Sequence, residues 1–97
     1  MKKTGIELIA EERQRQIDTE GFTSEHDELY DQGELALAGA CYALAEDVRD
    51  EYKYNSVPAF WPFGLSWWKP SPDNRVKELV KAGALIAAEI DRLNGIK

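Results

Sequence analysis

The sequence predicts an all-α protein with three to four helices, folded as a single domain over residues 1–97. Two segments, one near each end, carry apolar residues at the spacing of an amphipathic helix. Between them, residues 35–45 are all apolar or glycine and mostly small, which is typical of a buried central helix that its neighbours approach closely. No stretch of alternating β-branched residues is long enough to predict a sheet.

The first helix is predicted from Gly5 to Asp18. Thr4 and Glu7 have the spacing of a capping box at its start. Gly21 is expected to form its C-cap, since glycine adopts the left-handed conformation that ends many helices. An apolar stripe runs along this helix, and a cation, Arg13, falls near the middle of the stripe.

The central helix is predicted from Gly33 to Asp47 or as far as Tyr52, after a polar connection, residues 22–32, that is itself expected to be partly helical. A long aromatic and proline-rich loop over residues 58–72 follows, and it contains all three tryptophans and all four prolines of the chain. Proline removes backbone donors and fixes φ, so this loop cannot be a helix or a central strand.

The last helix is predicted to begin at Ser71-Pro72-Asp73, where a capping residue precedes proline, and to end at Asn94-Gly95. A glycine at the middle of its apolar stripe predicts a close crossing against the small residues of the central helix. The stripe, which is expected to face the core, consists of Val76, Leu79, Val80, Gly83, Ile86, Ala87 and Ile90.

The net charge of −6 is uneven, since residues 1–51 carry 14 acids against 5 bases and residues 52–97 carry 4 acids against 7 bases. An acidic chain without a basic stripe is a poor binder of long nucleic acids. The chain lacks a run of about eighteen apolar residues and a signal peptide, so neither a membrane helix nor export is predicted. The single cysteine, Cys41, fits a reducing cytoplasm. So few helices leave apolar surface to cover, and we therefore expect a homo-oligomer.

Arg13 needs a partner, because an unpaired charge within an apolar stripe is costly. Either it forms an internal ion pair with Asp31 or Glu34, or it lines a pocket and grips a phosphate, for which its forked guanidinium is suited. Gln16 lies one turn further on and flanks the same stripe. Both Arg13 and Gln16 are candidate ligand-binding residues.

An acidic cluster precedes the central helix. Asp27, Asp31 and Glu34 have the spacing of one helix face, and carboxylates are ligands that Mg²⁺ prefers. The same acids would also stabilise the start of the helix through its dipole. Asp31 and Glu34 are the candidate metal ligands, and the lone histidine, His26, is a candidate for hydrogen bonding to a ligand.

The aromatic residues of the loop either fill the core or bind a flat ligand, and we expect a mixture of the two. Stacking on an aromatic side chain contributes about 1–3 kcal/mol per base in nucleic-acid binders. Trp67, Trp68 and Lys69 offer ring surface and a cation side by side, so we expect these three to face a ligand or a partner subunit. Trp61 is a further candidate for ligand contact.

Six motifs are spread over nearly the whole chain: Glu12-Arg13-Gln14-Arg15-Gln16, Gly21-Phe22-Thr23-Ser24-Glu25-His26-Asp27, Gly33-Glu34-Leu35-Ala36, Trp61-Pro62, Trp67-Trp68-Lys69-Pro70 and Leu79-Val80-Lys81-Ala82-Gly83-Ala84-Leu85-Ile86. Together they resemble a family of small proteins from tailed phages and prophages. The resemblance implies a phage-encoded protein that acts in the cytoplasm of an infected bacterial host.

More distantly, the opening Glu-Arg-x-x-Gln helix, the His-Asp connection and the closing helix resemble MazG-like all-α nucleotide pyrophosphohydrolases. Those enzymes hold Mg²⁺ with a Glu-x-x-Glu pair and a later Glu-x-x-Asp pair. The counterparts here are Asp31-x-x-Glu34 and Asp47-x-x-Asp50. In one continuous helix Glu34 and Asp47 lie about 20 Å apart, so the two pairs cannot share a metal within one subunit.

The leading hypothesis is therefore a phage-encoded nucleotide-binding protein that needs no cofactor. It would sequester a nucleotide signal of host antiviral defence, such as a cyclic oligonucleotide or an ADP-ribose derivative. Two alternatives stay open. One is a MazG-like enzyme that uses Mg²⁺ to hydrolyse a nucleoside triphosphate to its monophosphate and pyrophosphate, and the other is a protein-binding inhibitor of a host factor.

Overall fold

A computed structural model describes residues 2–51, 53–54 and 57–96, and its fold confirms the all-α class. Within these residues it has five α-helices, one 3₁₀ turn and one antiparallel ribbon of two-residue strands. The bounds are α1 Gly5–Asp18, α2 Ser24–Glu28, α3 Glu34–Ala43, α4 Glu46–Glu51, β1 Lys53–Tyr54, β2 Val57–Pro58, the 3₁₀ turn Leu65–Trp67 and α5 Arg75–Leu93.

Helix α1 has the predicted bounds and the predicted capping box. The Thr4 hydroxyl accepts from the Glu7 amide at 3.2 Å, and the Glu7 carboxylate accepts from the Thr4 amide at 2.9 Å. The C-cap is Thr19 rather than the predicted Gly21. Gly21 adopts a φ of +76° two residues later, where it turns the chain towards α2.

The predicted central helix is two helices, α3 and α4, separated by an extended Leu44. The guanidinium of Arg75 donates to the carbonyl oxygens of Tyr42 at 3.1 Å and Leu44 at 3.0 Å, and also to that of Ala43. Carbonyls in the last turn of a helix lack partners within the helix. Arg75 therefore ends α3 from outside, and together with α2 in the polar connection this break explains why five helices form.

Helix α5 begins three residues later than its predicted opening. Asn74 is the N-cap, and its side chain accepts from the Lys77 amide at 3.0 Å. Ser71 therefore does not cap the helix, and its amide instead donates to the Glu78 carboxylate at 3.1 Å. The predicted end at Asn94-Gly95 is confirmed, with Asn94 as C-cap and Gly95 at a φ of +69°.

Helix α5 is the centre of the fold, and α1 and α3 both pack along it. Its predicted core stripe is wrong in part, because four of its members are 60%, 46%, 42% and 53% exposed: Val76, Leu79, Ile86 and Ile90. Gly83 does mark a close crossing, but with α1, since an added Cβ would lie 2.5 Å from Ile9 Cδ1. The face that α5 buries instead carries alanines, one leucine and two acids: Glu78, Ala82, Ala84, Leu85, Ala88 and Glu89.

The main core joins α3 to α5, and the aromatic loop packs over it. Its buried members are Leu35, Ala38, Tyr42, Ala82, Leu85 and Ala88, with Trp61, Phe63 and Trp68 among the half-buried residues against them. The loop is tied down at its far end, where the Lys69 amide donates to the Tyr42 hydroxyl at 3.0 Å. Among the described helices, none is both long enough and apolar enough to cross a membrane.

Candidate functional site

Helices α1, α2, α3 and α5 and the aromatic loop enclose a cavity of about 120 Å³. Seven ring-bearing side chains line it, and we call them the aromatic wall: Phe22, His26, Tyr30, Tyr42, Trp61, Phe63 and Trp67.

The rings of the aromatic wall contact one another in sequence around the cavity. His26 stacks on Phe22, with ring centroids 5.0 Å apart and an angle of 13°, and it contacts Tyr30 at 4.9 Å. Phe22 continues to Trp67 at 6.1 Å, and Tyr30 continues to Phe63 at 5.0 Å. Rings from α2 and its flanks are thus joined to rings from the loop, so the loop cannot shift without opening the cavity.

The three tryptophans have different environments. Trp67 is 47% exposed and lines the cavity. Trp61 also lines it, and its indole N–H donates to the Gly64 carbonyl at 3.1 Å. Trp68, expected to face a ligand or partner, instead stacks on Tyr42 at 4.7 Å and lies under the Arg49 guanidinium, outside the cavity lining. The loop therefore contributes both core and cavity surface.

Polar side chains of α1 form one part of the cavity lining. Gln16 is buried, and its amide nitrogen donates to the Glu12 carboxylate at 3.3 Å. Arg15 binds the same carboxylate through Nε at 2.7 Å and Nη2 at 2.9 Å. These hydrogen bonds raise the pKa of Arg15 above its ordinary value, so its charge is permanent.

Three cations and two carboxylates line the cavity, so its charge balance is positive. Arg15 and Lys69 both pair with Glu20, at 3.2 Å and 3.5 Å, and the Arg15 hydrogen bond lowers the pKa of that carboxyl. Lys81 Nζ lies 5.4 Å from the centre of the Tyr42 ring and donates to the Lys69 carbonyl at 2.6 Å. Burial lowers the pKa of Lys81 below its ordinary value. Lys69 and Lys81 are the cations best placed to meet an anionic group of a ligand.

Arg13 pairs with neither of its predicted partners. Its guanidinium lies 3.0 Å from the buried Asp27 carboxylate and donates to the Phe22 carbonyl at 3.0 Å. The other Asp27 oxygen lies 3.1 Å from His26 Nδ1. Arg13 itself lines a separate cavity behind α2. Through Asp27 it holds His26 in the aromatic wall, which is a positioning role.

The two candidate metal ligands lie at the start of α3, with Asp31 in the turn before the helix and Glu34 as its first residue. The Asp31 carboxylate accepts from the Gln32 side chain at 3.0 Å, and the Glu34 carboxylate accepts from the Gln32 amide at 2.6 Å. Neither residue lines the aromatic cavity. In the part of the chain that the structure describes, no group of three His, Cys, Asp or Glu side chains is placed to hold a metal ion.

The cavity also uses residues that the sequence reading overlooked, above all Phe22, Tyr30 and the cations Arg15 and Lys81. For Phe22 and Tyr30 a signal existed, since they lie four residues before and after His26, a spacing that in a continuous helix would put all three on one face. Helix α2 itself is shorter, and both residues flank it. Arg15 and Lys81 gave no such signal, because charged residues on amphipathic helices are ordinary.

No protein-family model matches the sequence, and comparison with curated proteins and with solved structures finds no match. The geometry of the cavity therefore carries the functional argument by itself.

Proposed function

We propose that the protein binds a small nucleotide, with one base in the aromatic cavity. The observation that carries this proposal is the aromatic wall together with two cations, Lys69 and Lys81, in the lining of the same cavity. Flat rings at several orientations suit a planar heterocycle, and each base stacked on an aromatic side chain gains about 1–3 kcal/mol. The two ammonium groups would face the phosphates outside the cavity.

Capture rather than cleavage is the role that we propose. The carboxylates that line the cavity, Glu12 and Glu20, are already engaged by Arg15. The acids expected to bind Mg²⁺, Asp31 and Glu34, lie outside the cavity lining. In the phage setting that the sequence motifs suggest, the protein would sequester a cyclic oligonucleotide or an ADP-ribose derivative that signals antiviral defence in the host cytoplasm. The cavity would take one base of such a ligand, and the remainder would lie across the rim.

Calorimetric titration against cyclic dinucleotides, cyclic trinucleotides and cyclic ADP-ribose tests the proposal. Saturable binding of at least one of them is expected. Trp67→Ala should weaken that binding about five- to a hundredfold, which corresponds to the loss of one stacking contact. Leu65→Ala is the matched control, since Leu65 lies in the same 3₁₀ turn, is exposed and does not line the cavity. Failure to bind any of these ligands would refute the proposal.

The fate of the ligand distinguishes capture from hydrolysis. A sequestering protein releases the ligand intact after heating, as judged by chromatography. A pyrophosphohydrolase would instead convert nucleoside triphosphates when Mg²⁺ or Mn²⁺ is added, and Glu34→Gln would abolish that turnover without unfolding the protein. Turnover of this kind would favour a pyrophosphohydrolase over a sequestering protein.

We further propose that the chain forms a homodimer through α5. Leu79, Ile86 and Leu93 follow each other at intervals of seven residues, with Ile90 between the last two, and all four are exposed. This spacing is typical of a helix seam that packs against another helix. Sedimentation should give a dimer for the wild type and for Lys77→Glu, and a monomer for Ile90→Glu. A monomeric wild type at high protein concentration would contradict the proposal.

A further inference from the structure

Gln16 presents an unsatisfied acceptor in the cavity lining. The residue is only 3% exposed, and its side-chain Oε1 has no hydrogen-bond partner among the described residues. The amide nitrogen faces the Glu12 carboxylate, which only accepts, so the free atom is the oxygen. Buried polar side-chain atoms usually have a partner. A hydrogen-bond donor on a ligand would satisfy the Oε1 atom of Gln16.

Glu12 offers a second acceptor one helical turn away in the same cavity lining. An ionised carboxylate has about four lone-pair sites. Three are occupied, two by Arg15 and one by Gln16. Gln16 and Glu12 both line the cavity, so a ligand edge that meets this pair must donate. Gln16 Oε1 has under 1 Å² of accessible surface, so its amide must turn slightly towards the cavity to accept that hydrogen bond.

Building on the nucleotide site proposed above, we propose that Gln16 selects the base. Its Oε1 accepts a hydrogen bond from an exocyclic amino group, and the open site of the Glu12 carboxylate accepts the second N–H of that group. Adenine and cytosine carry such an amino group at C6 and C4, and guanine carries one at C2. Uracil and hypoxanthine carry a keto oxygen at the same ring position, and that oxygen would face two acceptors. Sites built to receive a hydrogen bond discriminate strongly against ligands that lack the donor.

Two ligand pairs that differ by one amino group test the inference. Adenosine 5′-monophosphate is compared with purine riboside 5′-monophosphate, and cytidine 5′-monophosphate with its analogue that lacks the 4-amino group. The amino-bearing member of at least one pair should bind about ten- to a hundredfold more tightly. Equal binding within both pairs overturns the role of Gln16 and leaves the nucleotide site standing. Absence of binding by all four overturns the site and the inference together.

Gln16→Met separates ligand recognition from a structural role. Methionine keeps the length of the side chain and removes one of the two acceptors, so the preference for the amino-bearing ligand should fall by about two- to tenfold, with the deamino analogue bound as before. Gln14→Met, on the exposed side of α1, is the control and should keep the preference. If Gln16→Met keeps the preference, or weakens both ligands equally, the inference is wrong. The wild-type comparison tests it even if the variant does not fold.

Discussion

Replacing Glu78 by alanine removes the carboxylate that a buried arginine needs. Arg49 Nη2 lies 3.1 Å and 3.2 Å from the two Glu78 oxygens, and the two side chains are 4% and 3% exposed. The same carboxylate accepts from the Ser71 amide at 3.1 Å and lies 3.5 Å from the Arg75 guanidinium. Glu78 therefore connects α4, α5 and the end of the aromatic loop.

Removing one partner of a buried ion pair costs about 3–5 kcal/mol, because the other charge stays buried and unpaired. Domains of this size are stable by about 5–15 kcal/mol in total. Each kcal/mol lowers the melting temperature of a domain of this length by about 4–8 °C, so Glu78→Ala should melt at least about 12 °C below the wild type.

Urea unfolding followed by circular dichroism measures the effect. Glu11→Ala is the control, since Glu11 pairs with Lys3 on the surface and should contribute no more than about 1 kcal/mol. The double variant Arg49→Met with Glu78→Leu should recover most of the loss, because apolar residues of similar size often replace a buried pair without penalty. A loss for Glu78→Ala no larger than that for Glu11→Ala would refute the reasoning.

Two further predictions concern α5. Burial lowers the pKa of Lys81 below 10.5, so between the lowered value and 10.5 the unfolded chain binds more protons and stability rises with pH. The free energy of unfolding of the wild type relative to Lys81→Met should therefore increase across that alkaline window, and a constant difference in urea titrations would contradict the cause. Gly83→Ala should fail to deliver the gain of about 1 kcal/mol typical of this change in a helix, because the new methyl group meets Ile9. In an Ile9→Ala background the gain in stability should appear. If thermal melts of the two single variants and the double variant show no coupling between the substitutions, the helix crossing is loose and the reasoning is wrong.

The sequence predicts the helix ends that local chemistry decides. Thr4 and Glu7 fix the start of α1 by hydrogen bonds within a single turn, and Asn94-Gly95 ends α5 in the same local way. The end of α3 depends on Arg75, which reaches it from more than thirty residues further along the chain. Residues 35–45 carry no local signal for a break at Leu44, so the sequence alone predicts a continuous helix.

The face that α5 buries was harder to predict than its length. Hydrophobicity favours Leu79, Ile86 and Ile90, but the structure buries Glu78 and Glu89 instead. Both acids are paired with arginines, Glu78 with Arg49 and Glu89 with Arg92. A periodicity argument cannot anticipate a charged core face, because it assigns every acid to solvent.

The sequence predicted the kinds of side chain that form the candidate site, but only some of the individual residues. The sequence drew attention to Trp61, Trp67, Lys69, His26 and Gln16, and the structure brings all five to one cavity. Whether they bind a ligand stays a prediction.

The sequence predicted ligand contact for Arg13, a charge in an apolar stripe, and for Trp68, a ring that stands beside Trp67 and Lys69. Tertiary partners changed their roles, since Arg13 meets Asp27 and Trp68 meets Tyr42. The spacing of residues along the chain does not identify partners that lie far away in the sequence.

The aromatic wall is closed by contacts between distant parts of the chain, and this affects when the cavity appears during folding. Phe22, before α2, meets Trp67 in the aromatic loop, and the Lys69 amide reaches Tyr42 over 27 residues. Such contacts form only after long loops have closed, so they come late on the folding pathway. A nascent chain that has emerged only as far as α4 therefore has no cavity. The cavity forms with α5, in the same step that completes the core.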